Sequence, residues 1–482
     1  MLIEIRGVFH VLGWVAGWVG IMLMVPMTTD LFYHSADWES FGIAAAIAVF
    51  TGVSIILATG STGTKGFTFR QAFLLIILGW LFVMLFGAIP FLGYGIGLTN
   101  SVFETMSGIT TTGSTILTDL DSLPPGLLLW RAILQWIGGI GIIAIAVLIL
   151  PFLRIGGMQF FKIESSGTAD EKAGFTLKTL SMLSGVYCGL TALCATTYYL
   201  LGMSAFDAIT HAMATVSTGG YSTHDASFGF FTDFRLQWAA TVFMASGAIP
   251  FLLYLKASQG NIRALITDQQ VRGFLGFLII SSVLMAAWLM DHQNIGAFEA
   301  ITLTSFNITS VVTTTGFATS DYTAWGHGAV GVFLVLMFVG GCSGSTAGAI
   351  KIYRYQVLWI FVRSHIRKLF SPNRIAVLKY NGRTLQNDVP LGVLAFLAVY
   401  IATIAVFTVT LSLLNLDIIT AYSASVTAIS NVGPGLGDII GPSGTFQSLP
   451  DAAKWVLTCA MLAGRLEVLA LLVLFEREFW VD

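Results

Sequence analysis

Four short strings in this chain end in small polar or β-branched residues followed by glycine. They are Thr110-Thr111-Thr112-Gly113, Val216-Ser217-Thr218-Gly219, Thr313-Thr314-Thr315-Gly316 and Ser430-Asn431-Val432-Gly433. The chemistry available to them is that of bare backbone. Non-helical backbone at membrane depth is tolerated only inside protein or beside water. There it can aim carbonyl oxygens at a common axis and replace the water around a cation, as four loops do in K⁺ channels. Glycine allows backbone angles that let such carbonyls turn inward together. One string alone means little. Four, each following a short apolar stretch and preceding a long one, point to a cation-binding ring supplied by a single chain.

The elements that must position these strings follow from composition. Of the 482 residues, 56% are apolar and 10% charged, against about 25% charged in a soluble domain. Ten long apolar segments, at about 8–33, 40–59, 71–97, 127–152, 177–201, 234–255, 274–290, 328–361, 390–415 and 453–475, are long enough to span a bilayer. Four shorter stretches, 100–112, 204–218, 297–315 and 420–432, lie between long ones. The pattern is a leading pair of helices and then four units of long, short and long, a repeat visible in layout more than in letters. The fold class is therefore all-α and polytopic. The divisions are a two-helix extension at 1–66 and repeats at 67–160, 161–262, 263–375 and 376–482.

Charge sets the orientation. With the N-terminus cytoplasmic, only Arg131, Arg235 and Lys454 of the 23 Lys and Arg fall on the outer side, and Arg465 falls inside a helix. The rest collect on the cytoplasmic side, and the short stretches then face outward. The largest basic segment, 361–389, is a cytoplasmic anchor or a docking surface. The first apolar run is too long for a signal-peptide core and reads as a retained helix. Cys188, Cys194, Cys342 and Cys459 form neither a disulfide framework nor a metal knuckle, and read as small buried residues.

Other polar residues in apolar surroundings need roles. Glu104, Asp207 and Glu299 each follow Phe near the start of a short stretch, where an acid complements a helix dipole. The fourth stretch has Tyr422-Ser423 there, which argues against an essential acidic ring. His211 and His224 flank the second string and suit structural hydrogen bonds. Segment 328–361 is too long for one straight span, and Gly340, Gly341, Gly344 and Gly348, with Ser345 among them, suit a break at mid-membrane. Arg465 costs at least ~2.5 kcal/mol to insert at the membrane centre, so it is a functional candidate by default. It is placed in the ion path beneath the four strings, bonding to the 340–348 loop. GCSG at 341–344 matches an intramembrane serine-protease string, but none of the seven histidines is placed to serve Ser343. The chain is read as a transporter and not as an enzyme, with a sodium or weakly selective cation pathway as the alternative.

Several stretches resemble the Trk/Ktr/HKT superfamily of cation transporters, most closely its TrkH branch. They are QWIGGIGIIAIAVLILP (135–151), FDAITHAMATVSTGGYSTHD (206–225), FVGGCSGSTAGAIK (338–351), ISNVGPGLG (429–437) and AKWVLTCAMLAGRLE (453–467). The resemblance implies a potassium-translocating subunit of a bacterial inner membrane, with four helix–half-helix–helix units around one pore. It implies a homodimer and a cytoplasmic TrkA-like nucleotide-binding ring. It further implies a potassium site at Thr111, Thr112, Ser217, Thr218, Thr314, Thr315, Asn431 and Val432, backed by Gly113, Gly219, Gly316 and Gly433. The third repeat would hold a pore-blocking loop. Plant relatives that prefer Na⁺ often carry Ser at the first filter glycine, so Gly113 leans toward potassium.

Overall fold

The computed structural model describes residues 5–480 apart from 36, 61–66, 149–168, 372, 374–376 and 387. Lys65, Arg154, Lys162 and Arg374, counted above as cytoplasmic, lie outside the described residues, as do the repeat boundaries at 66, 160 and 375. Two leading helices, Arg6–Phe32 and Trp38–Thr59, pack on each other through glycine. A Cβ on Gly13 or on Gly52 would meet the other's carbonyl oxygen at 2.9 and 2.6 Å. Small residues of this kind let membrane helices approach backbone to backbone.

Four units follow, each an outer helix, a short pore helix and an inner segment. The outer helices begin at Phe69, Ala169, Gln269 and Asp388. The pore helices are Leu98–Ile109, Ala205–Val216, Ala297–Val312 and Ile418–Ser430, with 12 to 16 residues each. They are buried over most of their length, and their hydroxyls bond back to the preceding turn, as Thr105 Oγ1 does to the Ser101 carbonyl at 2.7 Å. That satisfies side chains which would otherwise cost about 1–3 kcal/mol each.

Seven of the ten expected spans are uninterrupted, and three are not. The three are the inner segments of repeats 2, 3 and 4. In repeat 2, helices Phe234–Gly247 and Phe251–Ser258 meet at 95°. Pro250 lies at that corner, where a ring without an N–H cannot continue the helix. In repeat 3, His327–Leu336 and Ile352–Phe370 are separated by residues 337–351. Val339–Gly340 and Ile350–Lys351 pair as short parallel strands and pinch the ends of this loop together. In repeat 4, Asp451–Arg465 stops at Arg465, and the chain turns through Glu467 at φ 58° before resuming at Val468. The reading of 234–255 and 453–475 as straight spans is thus corrected. Only repeat 1 keeps a continuous inner helix, Pro125–Leu148.

A ring of four loops and the loop beneath it

Each pore helix ends directly in one of the four strings, so its partly negative C-terminus faces the same region and favours a cation there. The loops share one backbone trace. Thr111, Thr218, Thr314 and Asn431 all take left-handed angles, φ 52°, 54°, 58° and 54°. Two residues later Gly113, Gly220, Gly316 and Gly433 are left-handed again, at 84°, 80°, 84° and 111°. The amides between them, on Thr112, Gly219, Thr315 and Val432, all bond to the carbonyl five residues back, at 2.8 to 3.0 Å.

This trace shifts the second loop by one residue. The left-handed glycine there is Gly220, and Gly219 occupies the place of Thr112, Thr315 and Val432. Ser217 is correspondingly one residue too early, at the level of Thr110. The string STGG held two glycines, and nothing in the letters said which was the geometric one.

The four glycines close a ring. A Cβ on Gly113 would run into the Gly219 carbonyl oxygen, one on Gly220 into that of Thr315, and one on Gly316 into that of Val432. One on Gly433 would meet the Thr112 oxygen at 2.8 Å. Each loop thus touches the next, in chain order, and the fourth touches the first. Among the described residues no donor bonds the carbonyls of Thr111, Thr218, Thr314 or Asn431. Thr111 Oγ1 and Asn431 Oδ1 are also buried without a partner. A dehydrated cation is a natural partner for such oxygens. On the side of the ring away from the 337–351 loop lies a cavity of about 410 Å³, lined in part by Gly113, Gly220, Gly316 and Gly433.

Behind the ring, Glu104 is not a helix-start residue as its position suggested. It sits fully buried in mid-helix and accepts from Arg131 Nε at 2.9 Å and from the Ile116 amide at 2.9 Å. Arg131 in turn donates to the Ser222 carbonyl at 2.8 Å and lies over the Tyr221 ring at 4.1 Å. The pair therefore ties the first loop to the second. Breaking a buried pair from one side leaves an uncompensated charge and costs about 3–5 kcal/mol. Glu104→Gln is expected to lower the thermal midpoint in detergent sharply, while Glu299→Gln, on an exposed carboxylate, leaves it unmoved.

The acid missing from the fourth pore helix is Asp417, whose side chain caps the Thr420 amide at 3.0 Å. Asp207 belongs to the second helix's cap, where Ser204 Oγ accepts from its amide. His211 bonds the Asp207 carbonyl and Ser222 Oγ, and His224 bonds Asp121. His224 holds the Asp121 carboxyl below its ordinary range. Both histidines thus have the structural partners expected of them. Cys194 and Cys342 are buried, whereas Cys188 and Cys459 are exposed on the helix surfaces, so the expectation of four buried cysteines holds for two.

Below the ring, the 337–351 loop is bolted to three of the four repeats beyond its own strands. Thr346 Oγ1 donates to the Gly247 carbonyl at 3.0 Å and accepts from Thr218. The Gly348 amide donates to Thr314 Oγ1 at 2.6 Å, and the Ala349 amide to the Ser430 carbonyl at 2.8 Å. A Cβ on Gly348 would strike that same Ser430 oxygen. Gly344 accepts from the Phe251 amide at 3.0 Å, across the corner in repeat 2. Gly340 and Gly341 lie at the pinched end, and Ser345 Oγ bonds the Cys342 carbonyl. Arg465, 3% exposed, donates from Nη1 to the Thr346 carbonyl at 2.9 Å and reaches the Gly138 carbonyl at 3.4 Å. Its neighbour Glu467 pairs with Arg354 of repeat 3 at 2.6 Å and not with Arg465. Arg354 is remote from Glu467 in the chain, 113 residues away.

The comparisons with known proteins agree with this architecture. The TrkH family model, described as a cation transport protein, matches residues 42–480. The chain is 43% identical to the Trk system potassium uptake protein TrkI of Halomonas elongata, covering 96% of this chain and 94% of that one. It is 33% identical to the Trk system potassium uptake protein TrkH of Escherichia coli K12, covering 95% of each. The crystal structure of the potassium transporter TrkH from Vibrio parahaemolyticus superposes with a TM-score of 0.91 at 30% identity, covering 99% of this chain and 100% of that one. With one ring built by four repeats and a family match over nearly its whole length, this chain belongs to the TrkH family of cation transport proteins.

Proposed function

We propose that this chain takes up potassium across a bacterial inner membrane, with its N-terminus cytoplasmic. Carbonyls of Thr111, Thr112, Thr218, Gly219, Thr314, Thr315, Asn431 and Val432 replace the water around the ion. The left-handed glycines Gly113, Gly220, Gly316 and Gly433 let the loops close on one another. The observation that carries this reading is the closed ring, in which each glycine abuts the next loop's carbonyl. The names of the relatives support potassium as the cargo.

The 337–351 loop and Arg465 act as the gate. This reading is supported by the loop's bonds to Thr314 and to Ser430 at a pore-helix end, and by Arg465's bond to Thr346 of the loop; beneath the ring a fixed positive charge opposes a cation's passage. Opening requires the loop to exchange these bonds for others, and glycine-rich backbone suits that change. A homodimer and a cytoplasmic TrkA-like nucleotide-binding ring complete the working unit, the latter docking on the basic segment at 361–389.

The test is tracer flux through the purified protein in liposomes under opposed K⁺ and Na⁺ gradients. Potassium flux exceeding sodium flux, without any proton gradient, is expected. Equal fluxes would replace this reading with the weakly selective pathway, to which the unequal composition of the four loops lends itself.

A further inference from the structure

The ring is fourfold in its backbone but not in its hydrogen bonds. Of the carbonyls of Thr112, Gly219, Thr315 and Val432, only that of Gly219 is bonded by a protein donor among the described residues. The donor is Gln135 Nε2, at 2.6 Å. The same side-chain amide accepts from the Tyr221 amide at 3.0 Å. Gln135 therefore spans Gly220 from behind, with one hydrogen bond on each side of it.

This bridge explains the doubled glycine. A Cβ on Gly219 would lie 2.4 Å from Gln135 Cδ. The other three loops carry Thr, Thr and Val at that place, and the second gives up its side chain so that Gln135 can approach. Gln135 is fully buried in the continuous inner helix of repeat 1. A buried amide left unpaired is costly, yet both ends of this one are spent on the backbone of another repeat. The fourth loop could not be bridged in this way, because Pro434 stands where Tyr221 does and has no N–H to offer.

We propose that Gln135 is a selectivity-determining positioning residue. It fixes the second loop at its ion-facing turn and withdraws part of one ring carbonyl's hydrogen-bonding capacity. One quarter of the ring is thereby rigid and weaker in field, and the other three carbonyls are free to adjust. A ring that cannot shrink on the side of Gly219 discriminates against a smaller ion. Arg131, one helical turn away in the same helix and paired with Glu104 of the first pore helix, holds Ser222 and so supports the same loop. This inference rests on the reading of the four loops as a potassium filter.

The test is the sodium-to-potassium permeability ratio of Gln135→Met and Gln135→Glu in liposomes, beside the wild type and with thermal midpoints recorded. Gln135→Met keeps the length and removes both hydrogen bonds. Gln135→Glu keeps the bond from the Tyr221 amide and sets a carboxylate oxygen against the Gly219 carbonyl. The ratio is expected to rise about 5-fold in Gln135→Met, the worth of one such hydrogen bond, with potassium flux retained, and to change in Gln135→Glu as well. A merely structural role would lower both fluxes together with the thermal midpoint and leave the ratio fixed. An unchanged ratio in either variant that reaches the bilayer overturns the proposal. If Gln135→Met does not fold, Gln135→Glu decides alone. A wild type that passes both ions equally defeats the filter reading itself, whereas a selective wild type with unaltered variants defeats only the role of Gln135.

Discussion

Gly220→Ala should abolish potassium flux, and Gly219→Ala should not. The two residues are adjacent and identical in the sequence, so the contrast isolates geometry. Gly220 sits at φ 80°, and a Cβ there would run into the Thr315 carbonyl oxygen. That oxygen belongs to the backbone of the next loop and cannot rotate aside without opening the ring. Strain at the left-handed angle and overlap in a tight site together cost about 2–4 kcal/mol, on the order of 100-fold in rate. At Gly219 the obstacle is a side chain, Gln135. Gly219→Ala displaces it and should behave as loss of the Gln135 bridge does, conducting potassium with weaker exclusion of sodium. Tracer uptake by the two variants, at matched protein in the membrane, checks the one-residue register. Comparable loss in both would mean that the second loop is aligned as its first glycine suggests.

Arg465→Ala should raise flux by at least about tenfold in the absence of any partner. Its guanidinium holds the Thr346 carbonyl of the intramembrane loop at 2.9 Å, and a hydrogen bond from a charged group contributes about 1.5–3 kcal/mol. Its loss favours the released loop by a factor of roughly 10–100. The same change removes the buried positive charge that, as proposed, opposes the cation. Arg465→Lys should fall between the two, because it keeps the charge and loses the fork that reaches both Thr346 and Gly138. Rubidium tracer efflux from loaded liposomes measures all three. Flux in Arg465→Ala equal to that of the wild type would remove Arg465 from the gate. The loop would then be held by its other bonds, those of Gly344, Thr346, Gly348 and Ala349 among them.

Much of this was written in the order of residue types. Apolar runs of bilayer length set the helices, because lipid leaves the backbone no other partner than itself. The recurrence of small polar residues and glycine after short stretches marked all four loops, and a lone arginine in an apolar segment marked the region beneath them. Local composition suffices where the solvent imposes the rule. Tertiary structure decided what depends on contacts between distant segments. Gly220 rather than Gly219 is the turning glycine because Gln135, more than eighty residues away in the chain, fills the space beside Gly219. Glu104 is an ion-pair partner because Arg131 reaches it from the following helix. The helix at 453–475 breaks after Gly464-Arg465, where Arg354 of another repeat binds Glu467 and Thr346 receives Arg465. A sequence lists the groups that need partners; only the folded chain settles which group each one finds.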